Sequence, residues 1–320
     1  MKNILFAFLI AILMISCKDE NKVEREIANI NIDISVERFD QFFGNAQERD
    51  LPKLKQAYPF MFPKKYKDSF WITKMKDTLQ QELIHEVENK FQTFDDVELE
   101  IETLFNHLKY YFPEFHPPRI ITTTSNVDYR NKVIVTDTIA LIALDTYLGK
   151  DHFFYEGIQK FIRHNFESEQ IVVDIAGAYA ERYIYQPQRK TLLDEMIYFG
   201  KQLYFKDVML PNKTEAQRIN YTDEQLDWAQ TNEHFIWRYF VERELLYNSD
   251  TKLPSRFINP APFSKFFLEQ IDTNSPGRIG QYIGWQIVRA YMKNNDVSLK
   301  NMLQTKPQDI FNKSKFKPRK

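Results

Sequence analysis

Chemistry in this chain must come from a short inventory. Its thiols and imidazoles are one cysteine, Cys17, and six histidines, His85, His107, His116, His152, His164 and His234. No two histidines are four residues apart, so the HExxH helix of a catalytic zinc site is absent. His85-Glu86 begins such a motif, but Asn89 stands where the second ligand belongs. There is no GxSxG elbow, and Gly277, Gly280 and Gly284 fit neither a phosphate loop nor a dinucleotide fingerprint. No metal and no cofactor is expected. A divergent hydrolase would have to use Glu195, Glu233 or Glu242 with water or an unrecognised metal.

The thiol has a different chemistry in prospect. Met1-Lys2 opens a 12-residue apolar run, Ile4 to Ile15, and small Ser16 directly precedes Cys17. A membrane-spanning helix needs about 20 such residues, so residues 1–17 read as a cleaved lipoprotein signal and Cys17 as the acceptor of a diacylglyceryl group and fatty acid such as palmitate. Two or more acyl chains hold a protein on a membrane almost irreversibly. With Cys17 lipidated no disulfide can form, and stability rests on the core.

The elements that would position these residues follow from periodicity. Forty-three per cent apolar and 15% aromatic residues suffice for a large core, and 8 glycines favour helix. The formal charge of −1, without a basic stripe, argues against nucleic acid as a partner. The basic run Lys313, Lys315, Lys317, Arg319 and Lys320 reads as a solvated tail. Residues 18–28 read as a charged tether, leaving 29–320 as one domain. Ile30, Ile32, Ile34 and Val36 alternate with polar residues as in a half-buried strand. Three further strands are expected over 119–124, 132–136 and 139–144. Helices are expected over 68–90, over 95–112 with a capping box at Asp95 and Glu98, and over 170–184, 189–207, 222–247 and 276–294. Strands early and helices late make a predominantly helical α+β domain.

Two of these helices carry polar residues in apolar company. Along 222–247 one face reads Trp228, Asn232, Phe235, Tyr239, Glu242, Leu246, which predicts a buried Glu242 paired with Lys201, Arg278 or Arg289. In 276–294, Ser275 reads as N-cap and Pro276 as the first helical residue. Gly277, Gly280 and Gly284 then share one side, against a neighbouring helix or a bound peptide or glycan.

Several blocks together resemble the gliding motility lipoprotein GldB family of Bacteroidota. They are Met196-Ile197-Tyr198, Gly200-Lys201, Tyr221-Thr222, Asn232-Glu233, Trp237, Glu242, Leu245-Leu246 and Pro262-Phe263, with Ser275 to Arg289 reading SPGRIGQYIGWQIVR. Lys18-Asp19-Glu20 resembles the export signal of surface lipoproteins in that phylum. The resemblance implies a lipid-anchored envelope protein of the outer membrane, required for gliding and partnered by other gliding or secretion proteins. The family is in turn similar to predicted zinc proteases of zincin-like fold. Asp194 to Tyr198 has the length of their metal motif without its ligands, which implies a scaffold that has lost its chemistry. The polar candidates for a binding site are Lys201, Asn232, Glu233, Trp237, Glu242, Arg278, Trp285, Gln286 and Arg289. A glycan binder is a further reading, suggested by Trp228, Trp237 and Trp285.

Overall fold

The computed structural model describes residues 22–320. Cys17, the signal and the first residues of the expected tether lie outside them. Helix α1, residues 22–28, is not a loose tether, because Ile27 is buried and Glu26 accepts a hydrogen bond from the Tyr110 hydroxyl (3.0 Å). Helices α2 (Phe39–Gly44), α3 (Leu51–Ala57), α4 (Asp68–Lys76), α5 (Thr78–Lys90) and α6 (Asp95–Tyr111) follow. The helical stretch expected over 68–90 breaks at Asp77, whose carboxylate accepts the Gln80 N–H (2.8 Å) and so caps α5. The expected capping box of α6 does not form, since Phe94 stands at its N-cap.

Four strands make one mixed sheet: β1 (Val36–Glu37), β2 (Arg119–Thr123), β3 (Val133–Val135) and β4 (Ile139–Ala143), in the order β1-β2-β4-β3. β1 and β4 flank β2 in parallel, and β3 pairs antiparallel with β4. A parallel sheet needs cover on both faces, and β2 has it. Ile120 faces the main helical core, while Ile121 faces a smaller aromatic core of Phe39, Phe43, Tyr58, Phe62 and Trp71. The first strand is shorter than the alternation suggests. Residues 31, 33 and 35 are exposed and Ile32 is buried, yet only Val36 and Glu37 pair with β2. Alternating burial describes a half-covered extended segment, with or without a ladder partner.

The helical half comprises α7 (Lys160–Arg163), α8 (Ile171–Tyr183), α9 (Leu192–Met209), α10 (Glu215–Ile219), α11 (Asp223–Thr231), α12 (Glu233–Glu242), α13 (Leu253–Phe257), α14 (Glu269–Asp272), α15 (Ile279–Asn294), α16 (Leu299–Gln304) and α17 (Pro307–Ser314). The single helix expected over 222–247 is two, joined at Asn232, and it ends at Glu242. Its expected start is correct: Thr222 and Gln225 form a capping box. α15 starts later than expected, because Ser275 is drawn into reciprocal bonds with Ser264. The Ser275 hydroxyl accepts the Ser264 N–H (3.1 Å) and donates to the Ser264 carbonyl (2.9 Å), so left-handed Arg278 becomes the N-cap.

α9 and α15 form the most extensive helix pair, and glycine permits it. A Cβ on Gly284 would stand 1.8 Å from the Met196 carbonyl oxygen, and one on Gly200 2.4 Å from the Gly284 carbonyl carbon. The partner of this glycine is thus a neighbouring helix. Gly284→Ala is predicted to lower stability by about 3 kcal/mol, although alanine is the better helix former. Gly177→Ala would meet only the flexible Lys206 side chain at 3.3 Å and should change little. Urea unfolding of both variants checks this; equal effects would contradict the close approach.

Candidate functional site

Close packing of α9 on α15 brings one carboxylate under the GWQIVR stretch. Trp285 and Arg289 are four apart on a helix and so share a face. Asp207, on α9, accepts the Trp285 indole N–H (2.8 Å) and two Arg289 bonds, from Nε (2.7 Å) and Nη2 (2.9 Å). Arg218 donates to it as well (2.9 Å), and Arg289 Nη1 reaches Glu215 (2.8 Å). The Arg289 guanidinium lies 3.7 Å from the Trp285 ring centre. Two acids against two arginines close this network internally. Asp207 escaped the sequence reading, but one signal was available. An acid in the last turn of a helix opposes the macrodipole, which calls for a cation nearby.

Lys201 is fully buried without a carboxylate. Its ammonium donates to the carbonyls of Leu303 (3.2 Å) and Thr305 (2.7 Å), closing the C-terminal end of α16. Burial pulls its pKa down to about 8. Lys206, donating to the Arg218 carbonyl (3.4 Å), is lowered to about 8 by the same cause. Gln286, on α15, is buried as well, with no partner for its Nε2 among the described residues.

Glu233, not Glu242, is the buried acid of α12. It accepts the Tyr282 hydroxyl (2.7 Å) and the Arg319 backbone N–H (2.9 Å). The basic tail is therefore docked rather than frayed: Ser314 is buried and Phe316 packs edge-on against Trp237 (5.2 Å). Glu242 is exposed and faces Arg238 at 3.9 Å, so none of its three expected cations reaches it. The physical reason is that α12 is apolar on two sides. Ile236 and Phe240 take the core, which leaves the expected stripe outside.

That stripe still forms one surface. Trp228, Asn232, Phe235, Tyr239 and Glu242 line a groove of about 450 Å³ closed on its far side by Phe266, Leu268 and Ile271. Phe235 is 55% exposed and neighbouring Phe267 73%. Asn232 itself turns inward, donating to the Trp228 carbonyl (2.9 Å) at the helix junction. Trp285 is buried and Trp237 is packed against Phe311 and Phe316, so the three tryptophans do not share an open platform. Arg278 stands apart from the other candidates, at a second cleft. Among the described residues no three His, Cys, Asp or Glu side chains gather as metal ligands would, and no helix is long and apolar enough to cross a membrane.

A family model described as gliding motility protein GldB matches residues 20–318. The chain belongs to that family. Its role is accordingly in gliding motility. No curated protein and no solved structure matches it. Within this GldB-family chain the motif residues Lys201, Trp285 and Arg289 hold helices together, whereas the α11–α12 stripe is left open to solvent.

Two measurements test these assignments. Asp207→Asn leaves Arg289 and Arg218 short of charge and should cost about 3–5 kcal/mol in urea unfolding, while Glu242→Gln should leave stability unchanged. The two lysines set a pH dependence. Their folded pKa values of about 8 lie below the ordinary lysine value of 10.5, so the unfolded chain binds more protons in between. Stability should therefore rise from pH 8 towards pH 10. A Lys201→Met, Lys206→Met double variant should lose that rise; an unchanged slope would rule out both lysines as its source.

Proposed function

We propose that this chain is a lipid-anchored protein of the cell envelope, tethered by acylated Cys17 to the outer membrane, that serves the gliding apparatus by binding rather than by catalysis. The observation that carries this reading is the contrast between the two kinds of polar and aromatic residue. Lys201, Glu233, Asp207 and Arg289 are spent on internal bonds, and the groove on α11 and α12 is an aromatic surface with exposed Phe235 on its wall.

The groove has the composition of a protein-binding centre. Tyrosine, tryptophan and arginine dominate hot spots. Here arginines lie over exposed and half-buried rings: Arg238 over Phe235 (5.2 Å), Arg243 over half-buried Tyr239 (5.9 Å) and Arg256 over Phe267 (4.4 Å). With Glu242 as the acid on its wall, the rim is net basic. Its occupant is a segment of a gliding or secretion protein that offers apolar side chains flanked by acids. The lipid supplies location, and the groove supplies the contact.

Phe235→Asp tests the contact, since Phe235 supports no core. It should abolish colony spreading and co-purification of the partner while melting temperature and abundance stay at wild-type values. Cys17→Ala should release the protein from the membrane fraction and abolish spreading. Normal spreading by Phe235→Asp would refute the groove, and normal spreading by the released Cys17→Ala protein would refute the anchor.

A further inference from the structure

The second cleft, of about 720 Å³, opens where the loop between β2 and β3 meets the end of α10 and the start of α15. Arg130, Lys132 and Arg278 line it, with Asp174 as the one acid of its wall. That acid is already engaged, holding the Lys132 ammonium and accepting the Tyr147 hydroxyl (2.8 Å). Buried Lys206 is close enough to feel the charges of Asp174 and Arg278 and adds a further cation behind the wall.

Positive charge is therefore in excess: Lys132 is paired with Asp174, whereas Arg278 and Arg130 are not paired among the described residues. A guanidinium carries five N–H donors. Arg278 uses one, towards the Ile219 carbonyl at 3.3 Å, and has no carboxylate partner among the described residues. Arg130 is exposed, lies over the Tyr129 ring at 5.8 Å, and forms no ion pair among the described residues. A cation partly withdrawn from water without counter-charge, as half-buried Arg278 is, is costly, and a bound anion removes that cost.

The backbone around the cleft is held in a conformation that side chains rarely adopt. Arg278 and Asn220 both sit at φ 60°, and the loop leading to Arg130 and Lys132 contains Asn126 (φ 59°) and Val127 (φ 58°). A β-branched residue at positive φ is an outlier, of the kind that clusters at binding sites. Buried Asp145 holds it there, accepting the backbone N–H groups of Ser125 (2.9 Å) and Val127 (2.6 Å). The strained loop fixes Arg130 and Lys132 opposite Arg278 before any ligand arrives.

We propose that this cleft binds a small oxyanion, a phosphate or carboxylate group, with half-buried Arg278 as the anchor and Lys132 and Arg130 completing its charge. The aromatic rings of Tyr129, Phe161 and Phe166 give the group's organic body an apolar wall. The site is independent of the α11–α12 groove and stands or falls separately from it.

Calorimetric titration of the full chain in neutral detergent, with inorganic phosphate, glycerol phosphate and succinate as probes, tests the assignment. At least one should bind saturably at one site. Tightest binding of inorganic phosphate marks a free ion as the ligand, of glycerol phosphate a phosphate ester, and of succinate a carboxylate. Arg278→Asn, which tolerates the left-handed backbone, should weaken the best probe on the order of tenfold or more. Arg130→Gln, a surface change that leaves folding intact, should weaken it several-fold, and Phe235→Asp should leave it unchanged. Absence of saturable binding by all three probes would overturn the proposal, as would binding indifferent to Arg130→Gln and Arg278→Asn alike.

Discussion

The contact between the backbones of α9 and α15 governs the helical half. Gly200 and Gly284 let the two helices approach until a single added methyl on either would overlap the other's main chain. At that separation Asp207 can meet Trp285 and Arg289 directly, although it is 78 and 82 residues distant from them in sequence. The ion network is a consequence of the close approach rather than its cause. It works as a register lock: the helices could pack at other offsets, but one offset satisfies the indole, both guanidinium edges and the acid together. A buried pair of this kind costs desolvation, so its best-supported benefit is specificity of arrangement.

A second rule runs through the molecule. Helix C-termini leave carbonyls without partners, and glycine in the left-handed conformation is the usual remedy. With 8 glycines in 320 residues, this chain closes several ends with long cations instead. Lys109 donates to the carbonyls of Pro113 (2.8 Å) and Phe115 (2.9 Å) after α6, Arg218 to those of Leu210 (3.1 Å) and Pro211 (2.8 Å) after α9, and Lys201 to those that end α16. The cations answer the negative end of each helix dipole while their aliphatic stems fill the core. A search for catalytic lysines or arginines here meets helix caps.

Elements defined by near neighbours were legible in the sequence. The Ile/Val/Thr runs at 119–124, 132–136 and 139–144 became β2, β3 and β4, and the capping box at Thr222 and Gln225 marked a true helix start. Of the expected face, Trp228, Asn232, Phe235, Tyr239 and Glu242 line one groove, while Leu246 lies beyond the end of α12 and is buried. The direction of that face was not legible, because α12 presents a second apolar side, Ile236 and Phe240, and the core chose that one. Long-range facts were hidden for the same reason. Nothing near Glu233 announces Tyr282 or Arg319, nothing near Asp207 but its unfavourable place on the dipole announces arginines, and the bonds from Ser264 that delay α15 come from a loop eleven residues upstream of Ser275.

The bond from Arg319 to Glu233 spans 86 residues, and that distance is also a delay. At about 5–20 residues per second, the stretch from Glu233 to Arg319 takes roughly 4 to 17 s to be made. Until then the Glu233 carboxylate lacks the Arg319 N–H that joins the Tyr282 hydroxyl on it. The helix that carries the groove's wall thus owes one of its bonds to a residue 86 positions away.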